Sequence, residues 1–186
     1  MMNGPFDIDV DTLGNLRPIS KVVFSLGSNE GDSAAILAEA VEFLSETPDV
    51  IIVDVSPVYQ TRPVGGPHQE DFLNLVVVAE STLEPLTLLD RALAIEDNFG
   101  RTRGVVNGPR TLDIDIIMVG KRIGEDALEL PHPRAHERAF VLVPWLDIDP
   151  TGVLEGRGAV AELVKAVDTS GVARRDDIVI TAATRF

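Results

Sequence analysis

Residues 100–120 read GRTRGVVNGPRTLDIDIIMVG, and the organisation of the chain follows from them. The second half is an apolar run, Leu112 to Val119, interrupted by two acids. Residues two apart on a strand share a face, so Asp113 and Asp115 project together while Leu112, Ile114 and Ile116 point into a core. Two carboxylates separated by two strand rises, about 6 to 7 Å, repel by about 2 to 3 kcal/mol at an effective dielectric of about 20. A cation is expected between them. Magnesium suits the position because it prefers oxygen ligands, keeps several waters and completes its shell with substrate phosphates. The plainer alternative is a pair of surface aspartates on a half-exposed strand.

The first half of the stretch places Arg101, Arg103 and Arg110 within ten residues that contain no acid. The whole chain has a net charge of −14, which repels nucleic acid over most of the surface and directs any polyphosphate to a local basic pocket. Guanidinium forks fit phosphate oxygens. A solvated loop whose arginines pair with surface acids is the competing explanation. Gly100, Gly104 and Gly108 imply that the loop moves.

Upstream, Pro85 opens a helix whose apolar stripe is Leu86, Leu89 and Leu93, stopping at Gly100. Glu96 continues that stripe near the helix C-terminus, where the macrodipole disfavours a negative charge, and needs a partner. Arg101 or Arg103 and a nucleotide hydroxyl serve equally well from the pattern alone. Further upstream lie a strand from Lys21 to Leu26, a helix capped by Asp32 or Ser33 that buries Ile36, Leu37, Ala40, Val41 and Leu44, and β-branched runs over Val50–Tyr59 and Phe72–Ala79. The loop RPVGGPHQED between those runs is a candidate lid. On the Phe72 run, Phe72 and Asn74 share a face, a flat ring beside an amide suited to a heterobicycle, although a strand phenylalanine is more often core.

The resulting order is βαββαβ, the α+β arrangement of a ferredoxin-like sandwich, with an antiparallel sheet, helices on one face and the other face free for ligands. Downstream come a Pro-His-Pro turn, an apolar run Phe140–Trp145, a helix over Ala159–Val167 and a last strand at Ile178–Thr181. Residues 1–20 are expected to be a flexible arm or linker remnant, and 21–186 a single domain. With 186 residues one core is expected.

Several chemistries drop out. The chain has no cysteine, which removes disulfides, thiolate metal sites and thiol nucleophiles and fits a reducing cytoplasm. No apolar run suits a bilayer span. SLGSNEGD has no following Gly-Lys-Ser/Thr and is not a Walker A loop. His132 and His136 have helical metal spacing, but Pro133 lies between them and no third ligand is evident; a phosphate contact from His132 is favoured.

The blocks SLGSNEGD, SPVYQTRPVGGPHQEDFLN, GPRTLDIDI and LPHPRAHERAFVLVPWLDIDP, in this order over residues 22–150, resemble the 6-hydroxymethyl-7,8-dihydropterin pyrophosphokinases of folate synthesis. The resemblance implies a ferredoxin-like fold and a reaction in which the pterin hydroxymethyl oxygen attacks the β-phosphorus of ATP, with AMP leaving. It implies that Asp113 and Asp115 hold two Mg²⁺ ions, that Arg103 and Arg110 clamp phosphates, and that Arg101 helps to close the loop. It implies that Glu96, Ile116, His132 and Arg138 contact ATP. Thr61, Val64, Phe72, Asn74 and Phe140 would form the pterin pocket, Phe72 and Phe140 stacking on opposite faces. The family often has tyrosine at the place of Phe72, tryptophan at that of Asn107, and a slightly longer arginine loop.

A monomer with small-molecule substrates is expected, without nucleic acid or membrane partners, and association with or former fusion to another folate-pathway enzyme is left open. Two rival readings come from other classes: a noncatalytic ferredoxin-like module binding RNA or protein, and a metal-dependent phosphohydrolase using the same aspartates on water.

Overall fold

The computed structural model describes residues 17–100, 108–124 and 127–183. β1 (Ser20–Ser28) is followed by α1 (Ser33–Glu46), β2 (Val50–Val55), β3 (Tyr59–Thr61), β4 (Phe72–Ser81), α2 (Pro85–Asn98) and β5 (Asp113–Val119). A 3₁₀ turn (Ala135–Glu137) leads into α3 (Ala139–Ile148), a β6 (Val153–Leu154) and β7 (Gly158–Ala159) hairpin, α4 (Val160–Lys165) and β8 (Val172–Arg174). The sheet runs β5-β1-β4-β3-β8, with β2 also on β4, and every pairing is antiparallel. The expected βαββαβ unit is present. Among the described residues no helix is long and apolar enough to cross a membrane.

Local chemistry explains the elements. The Asp32 carboxylate accepts from the Ala35 amide at 3.2 Å and starts α1, which buries Leu37, Ala40, Val41 and Leu44. Pro85 suits the first turn of α2, where an amide proton would have no partner. That helix is rotated from the expected stripe: it buries Leu88, Ala92, Ile95 and Glu96, while Leu86 is exposed. Both sets have helical spacing; Ala92 on the inner set lets the helix lie close to the sheet.

Three further expectations change. The run Val50–Tyr59 is broken at Ser56–Val58, where Pro57 has no amide proton and Ser56 Oγ accepts from the Val76 amide at 2.8 Å. The segment Ile178–Thr181 is not a strand; Ile180 is buried in the core instead, and the last strand is β8. The helix expected over Ala159–Val167 spans Val160–Lys165.

Alternation along β1 divides the molecule into two layers. Val22, Phe24 and Leu26 face a core filled by α1 and α2. Val23, with Val76, Val78 and Ile117, faces the other way and is covered by Val141, Leu142 and Trp145 of α3. The face expected to be free is therefore only half free. Asp149 anchors this cover: its Oδ2 accepts from Trp145 Nε1 at 2.9 Å and pairs with Lys21 at the start of β1. The uncovered half holds the site.

Candidate active site

Register sets the chemistry in rows across the open half of the sheet. Gly27 stands opposite Asn74 on one side and Asp113 on the other; Ser25 stands opposite Asp115, and Thr61 opposite Phe72. Directly opposed residues share a face, so Thr61, Phe72, Asn74, Gly27, Asp113, Ser25 and Asp115 form one floor. Gly27 has to be glycine here, because a Cβ would sit 2.5 Å from Asn74 Oδ1.

Above the floor is a cleft of about 750 Å³ walled by Arg62–Gly65 and Gln69, by Gly108 and Arg110, by Arg134 and Glu137–Phe140, and by Asp168 with Ser170–Val172. All five expected pterin residues, Thr61, Val64, Phe72, Asn74 and Phe140, line it, as do Arg110, Asp113, Asp115 and Arg138. Asn74 is held in place by donating from Nδ2 to Thr61 Oγ1 at 2.6 Å. At the other end Arg110 Nη1 donates to Asp113 Oδ2 at 2.7 Å and Arg138 Nη1 to Asp115 Oδ2 at 3.3 Å. Each carboxylate thus meets a guanidinium. The Arg138 guanidinium also lies 5.5 Å from the Phe140 ring centre, a cation–π contact that joins the charged end to the aromatic end.

His132, Glu96 and Ile116 stand outside the cleft lining. His132 Nδ1 accepts from the Arg134 amide at 3.2 Å, so the ring proton is on Nε2, 4.0 Å from Asp115 Oδ2. Burial, reinforced by Arg138, pulls its pKa down to about 4, and the ring is neutral near pH 7. Glu96 is buried against the sheet and its Oε1 accepts from the Ile114 amide at 2.8 Å. Ile116 has its side chain in the core. β5 is an edge strand, and the Ile114 amide is turned outward onto Glu96; two residues on, the Ile116 backbone faces the same open edge. Arg101, Arg103 and Asn107 lie outside the described residues.

Some site residues had no place in the sequence reading. Asn29, in the SLGSNEGD turn, ties three segments together. Its Oδ1 accepts from the Arg110 amide at 2.8 Å, its own amide donates to Arg110 O at 3.0 Å, and its Nδ2 donates to Gln69 Oε1 at 2.8 Å and Glu70 O at 2.9 Å. The signal was a turn asparagine beside the lid and arginine loops, visible only once the fold brought them together. Arg62, Arg134 and residues 168–172 were likewise missed.

The donor set fits magnesium: two oxygen-only carboxylates on one strand face, facing a cleft with arginines for a polyphosphate whose oxygens would complete the shell.

Comparisons with known proteins identify the family and the fold. Residues 23–150 match the family model for 7,8-dihydro-6-hydroxymethylpterin-pyrophosphokinase (HPPK). The chain is 42% identical over 157 residues to a 2-amino-4-hydroxy-6-hydroxymethyldihydropteridine pyrophosphokinase of Methylorubrum extorquens, covering 84% of this chain and 99% of that one. A protein of the same name from Mycobacterium tuberculosis is 38% identical over 171 residues, 86% of this chain and 89% of its own length. A Plasmodium falciparum HPPK-DHPS crystallised with pteroate superposes with a TM-score of 0.62 at 15% identity, over 82% of this chain and 44% of that longer one, which supports the fold. The chain belongs to the HPPK family and is an enzyme of folate biosynthesis that transfers pyrophosphate from ATP to the hydroxymethyl group of 6-hydroxymethyl-7,8-dihydropterin, releasing AMP.

Proposed function

We propose that the cleft works as a two-ended site, with pterin bound over Thr61, Val64, Phe72, Asn74 and Phe140, and ATP phosphates bound at Arg110, Asp113, Asp115 and Arg138. The observation that carries the proposal is the shared floor: Asn74 and Asp113 stand on either side of Gly27, so an aromatic-and-amide end adjoins a carboxylate-and-guanidinium end. Phe72 and Phe140 sandwich the bicycle. The Asn74 amide reads its pyrimidine edge. Asp113 and Asp115 would hold two Mg²⁺ ions, which when bound neutralise phosphate charge and align the transferred group.

Transfer of a phosphoryl-type group demands positioning and charge neutralisation more than covalent chemistry. Arg110 and Arg138 are already in the cleft, paired with the aspartates; on nucleotide binding they exchange those carboxylates for phosphate oxygens. Arg103 would join them and Arg101 would help close the loop. Neutral His132, with its proton on Nε2, is a hydrogen-bond donor to a phosphate rather than a second cation. Glu96, now buried on the Ile114 amide, and the backbone of Ile116 lie along the outer edge of β5 beyond the cleft, and would meet the nucleoside part of ATP only if that edge is uncovered when nucleotide binds. Closure of the lid over bound ATP then completes the pterin end and excludes water.

Residues 21–186 would act as one domain, working in the cytoplasm as a monomer. A Lactococcus lactis relative is named bifunctional protein FolKE, 44% identical over 125 residues and matched over 36% of its length; this chain would likewise tolerate association with another folate-pathway enzyme. The test is AMP release measured with and without pterin. Release that depends on pterin and disappears in Asp115→Ala supports the reading, and pterin-independent release identifies a hydrolase.

A further inference from the structure

One wall of the cleft lies beyond the residues matched by the family model. The match ends at Pro150, yet Asp168, Ser170, Gly171 and Val172 line the cleft. β8 puts them there. Val172 pairs with Thr61 and Arg174 with Tyr59, and the contact continues on both sides, from the Arg62 amide to Gly171 O at 3.4 Å and from the Arg175 amide to Val58 O at 2.8 Å. Arg175 Nη1 adds a bond to Gln60 Oε1 at 2.9 Å. The turn before β8 is therefore fixed beside Thr61, on the pterin side.

Asp168 is the chemically distinctive member of this turn. Among the described residues lining the cleft the acids are Asp113, Asp115, Glu137 and Asp168. Asp113 and Asp115 meet Arg110 and Arg138 at the far end, and Glu137 faces Arg134 at 3.9 Å. Asp168 is the carboxylate on the β3–β8 side. Its Oδ1 accepts from the Ser170 amide at 2.9 Å, and that bond, with the Arg62 guanidinium nearby, holds its pKa below the usual carboxylate range. It is an anionic acceptor at neutral pH.

A pterin carries a guanidine-like edge, an exocyclic amine next to a ring N–H, with more donors than one amide oxygen can accept. Asn74 already gives one N–H to Thr61, and its Oδ1 faces Gly27. A carboxylate is the natural second acceptor for such an edge. We propose that the Asp168 turn is the outer wall of the pterin end and that the Asp168 carboxylate binds the exocyclic amine of the pterin. This rests on the assignment of Thr61, Phe72, Asn74 and Phe140 as the pterin end.

The test is Asp168→Asn, which keeps an oxygen for the Ser170 amide and so preserves the turn. Pterin binding is titrated by its own fluorescence in the presence of Mg²⁺ and a nonhydrolysable ATP analogue, alongside an analogue of the pterin lacking the exocyclic amine. The expected result is about a tenfold weaker Kd for pterin, the scale of one charge-assisted hydrogen bond, with the affinity for the ATP analogue unchanged. Removing the amine should weaken binding to the wild type about tenfold and leave binding to Asp168→Asn nearly unaffected. Equal pterin affinity in the two proteins, or the same penalty for losing the amine in both, overturns the role of Asp168. Asn74→Ala measured in parallel separates this from the underlying assignment: loss of pterin affinity there with none in Asp168→Asn overturns only the Asp168 contact, and no loss in either overturns the pterin end itself.

Discussion

Asn29 offers the sharpest test of how the two loops are coupled. Asn29→Ala keeps the backbone bond to Arg110 O but removes three side-chain bonds, from the Arg110 amide, to Gln69 Oε1 and to Glu70 O. At about 1 kcal/mol net each, the loss is about 3 kcal/mol at most, and less where water replaces the lost partner. Asn29 sits outside the floor formed by Thr61, Asn74, Asp113 and Asp115, so the loss should fall on the relative placement of the lid and arginine loops rather than on substrate contacts. In the wild type, an ATP analogue with Mg²⁺ should strengthen pterin binding, because closure over ATP completes the pterin end. In Asn29→Ala that strengthening should shrink by about tenfold to a hundredfold, while pterin affinity without nucleotide changes little. Calorimetric titration of pterin with and without the analogue measures both. Full retention of the strengthening in Asn29→Ala would refute the coupling, and equal wild-type pterin affinity in both conditions would refute ordered closure itself.

Three other outcomes follow from single residues. Gly27→Ala would drive a methyl against Asn74 Oδ1, 2.5 Å away, costing about 1 to 3 kcal/mol of stability and raising the KM for pterin more than that for ATP, read from a thermal melt and steady-state kinetics. Glu96→Ala should destabilise the fold by about 1 to 3 kcal/mol, because the buried Ile114 amide loses its acceptor; Glu96→Gln, which keeps an acceptor, should lose less in a urea titration. Tyr59, the chain's single tyrosine, has its pKa raised from 10.0 to about 12 by burial and by donating to Asp147. Since the folded phenol holds its proton more tightly, that contribution to stability is complete below pH 10 and is lost as pH rises towards 12. Phenolate absorbance near 295 nm should therefore appear about two pH units later in the native protein than in urea.

The parts of this site that could be read from sequence are those governed by local rules. Asp113 and Asp115 alternate with apolar residues, and a period of two leaves them one shared face. Phe72 and Asn74 obey the same rule, and the helix cap at Asp32 is set by its own neighbours. What escaped is set by contacts distant in sequence. The rotation of α2 about its axis, which buries Leu88 and Ala92 rather than Leu86, is chosen by the sheet beneath it, since two stripes of equal spacing compete. The cover that α3 lays over half the second face is anchored by Asp149, which joins Trp145 to Lys21, 128 residues before Asp149. β8 carries three residues of weak pattern and exists because β3 offers it an edge. Asn29 looked like a turn residue because its partners, Gln69, Glu70 and Arg110, are 40 to 81 residues away.

If the paired aspartates of β5 seat the metal through which ATP is held, the metal can be counted as Mn²⁺ bound in place of Mg²⁺, by electron paramagnetic resonance of free Mn²⁺ during titration with a nonhydrolysable ATP analogue present. Two ions per wild-type chain are expected, and at least one fewer, with weaker nucleotide binding, in Asp113→Asn and Asp115→Asn. Unchanged stoichiometry and unchanged affinity in both variants, with the fold intact, would contradict that seating.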